Sequence, residues 1–279
     1  MDRILVGNDG SPAAQEALRW SADLVSRAGL ELTAARVFVP TQAELDPQEY
    51  DSLRDDQLRD LERSCEEVAS GGKAARAVLV DGEPADALLR ATAEEEADML
   101  VVGGRGGGGF TGLHLGSVAH HLIHHTTLPL AVVPLDAGDP VRRLVVGVDG
   151  SPGSEAAVGV CAELAARLEV PVTALFAAEQ PDLSVPERDT ERLQEWFAQE
   201  ARKWADPIER RGVEVEVTLA HDMHPVDAIG RALEDAPGAV GVVGARGLGG
   251  FVDLRLGRVP LQLVHHTSRP VIVVPPTGG

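Results

Sequence analysis

Cysteine is scarce in this chain: 279 residues hold only Cys65 and Cys161, in separate halves and without metal-ligand spacing. A disulfide framework and a thiolate zinc site are therefore not expected, and two buried thiols suit a reducing compartment. Long hydrophobic runs are missing too. No stretch approaches the roughly 20 apolar residues of a membrane span. The strand-like run Ile4-Leu5-Val6 opens the chain with no leader pattern before it, so the expected location is the cytoplasm. Positive charge is sparse, with 25 Lys and Arg against 44 Asp and Glu, a net charge of −19. Nucleic-acid binding draws on Lys and Arg that displace counterions from phosphates, so no nucleic acid is expected as a partner. No Gly-Lys-Ser/Thr ending exists, which excludes a P-loop NTPase.

At 44% hydrophobic and 25% charged the chain is globular, and it is long enough for two cores. It is a duplication. Asp9-Gly10-Ser11-Pro12 recurs as Asp149-Gly150-Ser151-Pro152 at an offset of 140, and Gly103, Gly116, His125 and Pro129 recur at an offset of 141. One insertion over that distance means two copies of one domain. The join is expected near Leu135–Pro140, giving domains over 1–137 and 138–279. In the first copy the patterning predicts strands over Arg3–Asn8, Glu31–Val39, Ala74–Val80, Met99–Val102 and Leu130–Val133. Helices are predicted over Pro12–Arg27, Pro47–Ala69, Pro84–Glu95 and Ser117–Thr126, the first N-capped by Ser11 with Pro12 at its first position. Short buried strands alternating with amphipathic helices predict an α/β fold. Each domain is then doubly wound, a five-stranded, mainly parallel sheet with helices on both faces. Ligands of such folds sit beyond the carboxyl ends of the strands, where Asp9 and Gly103 both fall.

Each copy carries a glycine spacing after its fourth apolar run. The first reads Gly103-Gly104-Arg105-Gly106, nine residues, then Gly116-Ser117; the second reads Gly244-Ala245-Arg246-Gly247, nine residues, then Gly257-Arg258. A glycine loop opening onto a helix exposes backbone N–H groups that suit a phosphate. Local charge agrees. From Met99 to Leu135 there is no acid, and Arg105 is the only formal charge; Val240–Pro276 holds Asp253 against Arg246, Arg255, Arg258 and Arg269. Buried strands and tight loops are poor in acids anyway, so charge supports the loop reading rather than carrying it.

With these motifs the chain resembles a tandem universal stress protein of the ATP-binding branch. The resemblance rests on the openings Ile4–Ser11 and Val145–Ser151, the glycine loops, and the closing runs Pro129–Pro134 and Pro270–Pro275. It implies ATP or a related adenine nucleotide, with Mg²⁺ as a candidate bridge between its phosphates. It places Asp9 by the ribose and the backbone of Val37 at the adenine edge. The loop Gly103, Gly104, Arg105, Gly106, Gly107, Gly108, Gly109 and Gly116 wraps the phosphates, where Ser117 and Val118 open the next helix. Gly7 lets the nucleotide approach the strand end. The matching residues of the second copy are Gly147, Asp149, Ala177, Gly244, Ala245, Arg246, Gly247, Gly257, Arg258 and Val259. The family also implies that its domains pair through their last strands, which here makes an internal pseudo-dimer of the two halves; a homodimer is open, and no protein partner is specified.

The second copy departs from the pattern. Arg258 replaces the hydroxyl, and Gly82-Glu83-Pro84 becomes Met223-His224-Pro225. A guanidinium either neutralises phosphate or fills its space, so a weaker or altered second site is expected. The run Gly104–Gly109 formally satisfies G-x-G-x-x-G but lies after the wrong strand, with no acid about 20 residues on. His120, His121, His124 and His125 form two i,i+4 pairs, but no Glu or Cys accompanies them and the second copy keeps only His265-His266, so no metal site is expected. No catalytic residue is assigned. The expected function is a nucleotide-binding stress-response switch; the enzyme alternative is a slow ATPase or nucleotidyl transferase of the adenine-nucleotide hydrolase-like superfamily.

Overall fold

The computed structural model describes residues 1–39, 46–69, 75–104, 115–178, 199, 201–221, 223–247 and 256–276. The chain divides into two compact units, Met1–Pro140 and Val141–Gly279.

In the first unit the elements run β1 (Arg3–Gly7), α1 (Pro12–Ala28), β2 (Glu31–Phe38), α2 (Pro47–Glu67), β3 (Arg76–Asp81), α3 (Pro84–Glu94), β4 (Met99–Gly103), α4 (Ser117–His125) and β5 (Leu130–Val133). Every pairing is parallel, in the order β3-β2-β1-β4-β5. The chain steps outward from β1 to β3 and then returns to β4 and β5. Because β-α-β crossovers are right-handed, the helices of the outward and return steps cover opposite faces. Accordingly α1 meets α2, where the Gln15 amide donates to the Ser64 hydroxyl at 3.0 Å, and α3 packs on α4. Covering both faces explains why β1 and β4 read as unbroken apolar runs: Ile4, Leu5, Val6, Met99, Leu100 and Val101 are all buried. Each such side chain contributes about 1.5–3 kcal/mol.

The second unit repeats the plan with β6 (Arg143–Val148), α5 (Pro152–Leu168), β7 (Val172–Ala178), a helix α6 described over 201–209, β8 (Val215–His221), α7 (Pro225–Glu234), β9 (Ala239–Gly244), α8 (Arg258–His266) and β10 (Val271–Val274). Its sheet is also parallel, ordered β8-β7-β6-β9-β10. The predicted elements are present, with ends differing by one or two residues where helices and strands fray.

Helix starts follow the local sequence. The Ser11 hydroxyl accepts from the Ala14 N–H at 3.3 Å and Ser151 from the Ser154 N–H at 3.1 Å, with proline at the first helical position in both. Such a cap contributes about 1 kcal/mol. Helix ends differ. Gly29 closes α1 in the left-handed region at φ 70°, whereas the equivalent residue after α5 is Glu169, at φ 55°. Both thiols are buried, and burial pushes Cys65 up to about 11 and Cys161 higher still. Neither is a thiolate near neutral pH.

Candidate functional site

In each unit the return of the chain leaves a crevice beyond the carboxyl ends of the first and fourth strands. Register sets its floor: Val6 lies beside Val101 and Val146 beside Val242, so Gly7 and Gly103, like Gly147 and Gly244, end neighbouring strands. The next turn is fixed by an aspartate. Asp9 Oδ1 accepts from the Ser11 N–H at 3.0 Å and Asp149 Oδ1 from the Ser151 N–H at 2.9 Å. One carboxylate oxygen of each thus holds the entry to the following helix.

Two strand-end glycines have a packing reason. A Cβ on Gly103 would lie 2.7 Å from the backbone carbonyl of Ala13, and one on Gly244 would lie 2.5 Å from the carbonyl carbon of Gly153. The backbone of each first helix therefore rests directly on the end of the fourth strand. Gly7 and Gly147 are also accounted for from within: their Cβ positions meet Leu88 and Ile229 at 3.0 and 2.7 Å. A side chain at Gly7 would thus compete with a leucine of α3.

The glycine loops are clamped at both ends. The Gly104 N–H donates to Val133 O and the Gly104 carbonyl accepts from the Gly116 N–H, both at 2.8 Å. The Ala245 N–H likewise donates to Val274 O and its carbonyl accepts from the Gly257 N–H, both at 2.7 Å. These bonds hold the start of α4 and of α8 against the ends of β4 and β9. Arg105, Gly106, Gly107, Gly108 and Gly109 lie outside the described residues. Neither Gly116 nor Gly257 caps its helix with a side chain, so no side-chain cap takes up the first-turn N–H groups, the donors that suit an anion. Ser117 and Arg258 are the first helical residues and are exposed; Val118 and Val259 follow, half-buried.

In the second unit these parts enclose a cavity of about 690 Å³. That is within the size range of small-molecule sites. Gly147 and Asp149 line it from β6 and the turn beyond, Ala177 from β7, Gly244 from β9, and Arg246, Gly247, Gly257, Arg258 and Val259 from the loop and helix start. Ala245 does not line it; buried, it serves the clamp instead. The loop presses on the aspartate, since a Cβ on Gly247 would sit 2.3 Å from Asp149 Oδ2. Apolar walls come from Val148, Leu175, Ile229, Val243 and Leu256, with Ser154, His224, Pro225 and Pro260 completing the lining. Of these the sequence marks only His224 and Pro225, as a departure between the two copies. Val148, beside Gly147 in the opening motif, carried a signal for its place; Ile229 and Leu175 read only as core.

A nucleotide fits this donor set. Apolar walls suit a base, and an uncapped helix start with two guanidinium groups suits phosphates. Arg246 Nε is buried with no hydrogen-bond partner among the described residues, a donor waiting for an acceptor. Asp149 is the one carboxylate among the described lining residues.

The first unit places Gly7, Asp9, Val37, Gly103, Gly104, Gly116, Ser117 and Val118 at the equivalent strand ends and helix start; Val37 sits opposite Val80, one residue from the end of β2. Toward α2, the ends of β1 and β2 carry a polar cluster. Arg36 Nε donates to Asn8 O at 3.0 Å, Nη2 to Asn8 Oδ1 at 3.2 Å and Nη1 to Gln57 O at 3.3 Å. Burial lowers the affinity of this guanidinium for its proton, against the attraction of Asp60 and Asp9. The equivalents of Asn8 and Arg36 are Val148 and Phe176, the latter stacked on Trp204 with centroids 5.4 Å apart.

On α4 the imidazoles of His121 and His125 stack at 4.1 Å, and His121 Nε2 lies 3.5 Å from Asp86 Oδ1. Among the described residues no group of three or more His, Cys, Asp or Glu is placed to hold a metal ion, and no helix is long and apolar enough to cross a membrane.

Parallel doubly wound domains in tandem, the second with a cavity at the strand switch point, define an α/β class whose ligands, where bound, sit beyond the carboxyl ends of the strands. The model of the universal stress protein family matches residues 1–134 and again 140–275. Two universal stress proteins of Mycobacterium tuberculosis align over nearly the whole chain. Rv1996 is 31% identical, covering 97% of this chain and 94% of its own, and Rv2623 is 30% identical, covering 97% and 95%. The crystal structure of a universal stress protein from Archaeoglobus fulgidus shares the fold at a TM-score of 0.69 and 19% identity, covering 99% of this chain and 98% of its own. The chain belongs to the universal stress protein family, as two family domains in one polypeptide.

Proposed function

We propose that this protein binds an adenine nucleotide, ATP, at the strand-end crevice of each half and works as a nucleotide-responsive regulator rather than through turnover. The observation that carries this reading is the cavity of the second half. There an aspartate turn, an uncapped helix start and two arginines converge on apolar walls of the size a nucleoside needs. In the first half the same frame ends in Ser117, whose hydroxyl adds a donor to the orphan amides of α4. Phosphoryl transfer requires a positioned base or nucleophile. Among the described residues the lining offers one carboxylate, Asp149, and one of its oxygens already holds the Ser151 N–H. Buried, protonated thiols suit the reducing cytoplasm in which we place the protein.

The test is to release the nucleotide from freshly purified protein, identify it and count it per chain. Intact ATP is expected, with occupancy falling on Ser117→Ala and on Arg258→Ala. Multiple turnovers per minute, abolished by Asp9→Asn, would make the protein an ATPase; no nucleotide and no binding heat with ATP would sink the reading.

A further inference from the structure

The helix starts that face the two crevices differ in chemistry. In the first half α4 begins Ser117-Val118-Ala119, offering a hydroxyl and backbone N–H groups. In the second, α8 begins Arg258-Val259-Pro260, and proline has no N–H to give. The second start has thus lost a hydroxyl and an amide donor and gained a guanidinium. Arg258 is exposed and borders the cavity. The cavity is also bordered by Arg246, with its unpartnered Nε, and by the backbone that the Ser151 hydroxyl holds through Arg246 O at 3.3 Å. Asp149 is the one acid among the described lining residues.

This set is poor for a divalent cation and good for a bare polyphosphate. Mg²⁺ is held by one or two carboxylates together with substrate phosphates, and a Ser or Thr hydroxyl at a phosphate-binding helix start is a neutral group that can share it. A guanidinium ligates no metal and repels one, yet it neutralises phosphate directly and with two parallel hydrogen bonds. Resting on the nucleotide reading above, we propose that Arg258, with Arg246, replaces the divalent cation in the second half. That cavity takes the polyphosphate of a nucleoside triphosphate free of metal.

The experiment is equilibrium dialysis of nucleotide-stripped, full-length protein against ATP, with Mg²⁺ and then with excess EDTA. In EDTA the wild type retains one ATP per chain. Arg258→Ala weakens that EDTA-resistant binding by about 10-fold or more, the loss of one charge-assisted contact. Arg258→Ser binds there only when Mg²⁺ is supplied. Arg258 is exposed, and an unchanged melting temperature confirms that the variants fold. ATP bound in Mg²⁺ but entirely lost in EDTA overturns the metal-free site and leaves the nucleotide reading standing. EDTA-resistant binding unchanged in Arg258→Ala overturns it as well. Absence of binding in both conditions sinks the nucleotide reading itself.

Discussion

The two halves share their frame and differ in what the frame holds. Ser11 and Ser151 cap the same helix, Asp9 and Asp149 tie the same turn, and Gly103 and Gly244 admit the same close backbone approach. The side chains carried on that frame do not follow. Where the first half ties Arg36 to Asn8, the second stacks Phe176 on Trp204, and where the first offers Ser117 the second offers Arg258. A cation present at Arg36, beside α2, is absent from the second half, and one absent at Ser117 is present there as Arg258 on the cavity. Residues fixed by backbone contact admit no alternative side chain, whereas residues facing a cavity are free to change with the ligand.

Breaking the shared frame is expected to have the largest effect. Gly103→Ala and Gly244→Ala each drive a methyl group into backbone, which cannot rotate away, and should cost about 3 kcal/mol or more. Urea unfolding of each variant measures this, and a loss below 1 kcal/mol would mean that the close approach is soft. Next is the polar cluster of Arg36 and Asn8. Arg36→Leu strips the Asn8 carbonyl groups of their guanidinium donors at a buried site, an expected loss of about 1–3 kcal/mol. The double variant Asn8→Val with Arg36→Phe copies the second half and should recover part of it. No recovery would show that Trp204 is needed to complete the apolar version.

A smaller effect is expected at the helix ends. Glu169→Gly relieves a left-handed residue and should stabilise the second half by about 1 kcal/mol, while Gly29→Glu does the reverse in the first. Equal and opposite shifts in unfolding midpoint would establish that the ends are interchangeable. The smallest effect belongs to the histidines of α4, where the halves also differ. Burial, and then repulsion from His120, His125 and His121, holds His124 below the ordinary histidine value. The unfolded chain therefore binds this proton more readily than the folded one. The stability from neutral His124 is full above its unfolded pKa and is lost as the pH falls through that value toward the depressed folded one. His124→Gln should reduce the fall in melting temperature between pH 8 and pH 5.5; an unchanged or steeper fall would assign it to other groups.

Local order was legible because it depends on short-range chemistry. Ser11-Pro12 announces a capped helix start in any context, and Met99–Val102 reads as a doubly covered strand from its composition. The glycine loop announced its clamp less directly. Ala245 reads as a loop member because it occupies a motif position, yet its backbone ties β9 to β10 and its side chain is buried. Gly7 reads as space for a ligand, and a missing Cβ leaves no record of its neighbours; the structure adds Leu88 to them. The wall residues Leu175 and Ile229 were not legible as site residues, since a side chain lining a cavity and one lining a core have the same apolar character.

By itself the sequence determined the duplication, the order of strands and helices, the caps, and the positions at which the second copy departs from the first. These are matters of spacing and local hydrogen bonding, and they are written in neighbouring residues. The tertiary structure decided which of the repeated glycines make room for backbone and which border a cavity. It also placed Arg246 and Arg258 on one cavity wall system with Asp149 as the sole acid among the described lining residues. The physical reason is that a cavity belongs to several chain segments at once, and no segment records what the others leave open.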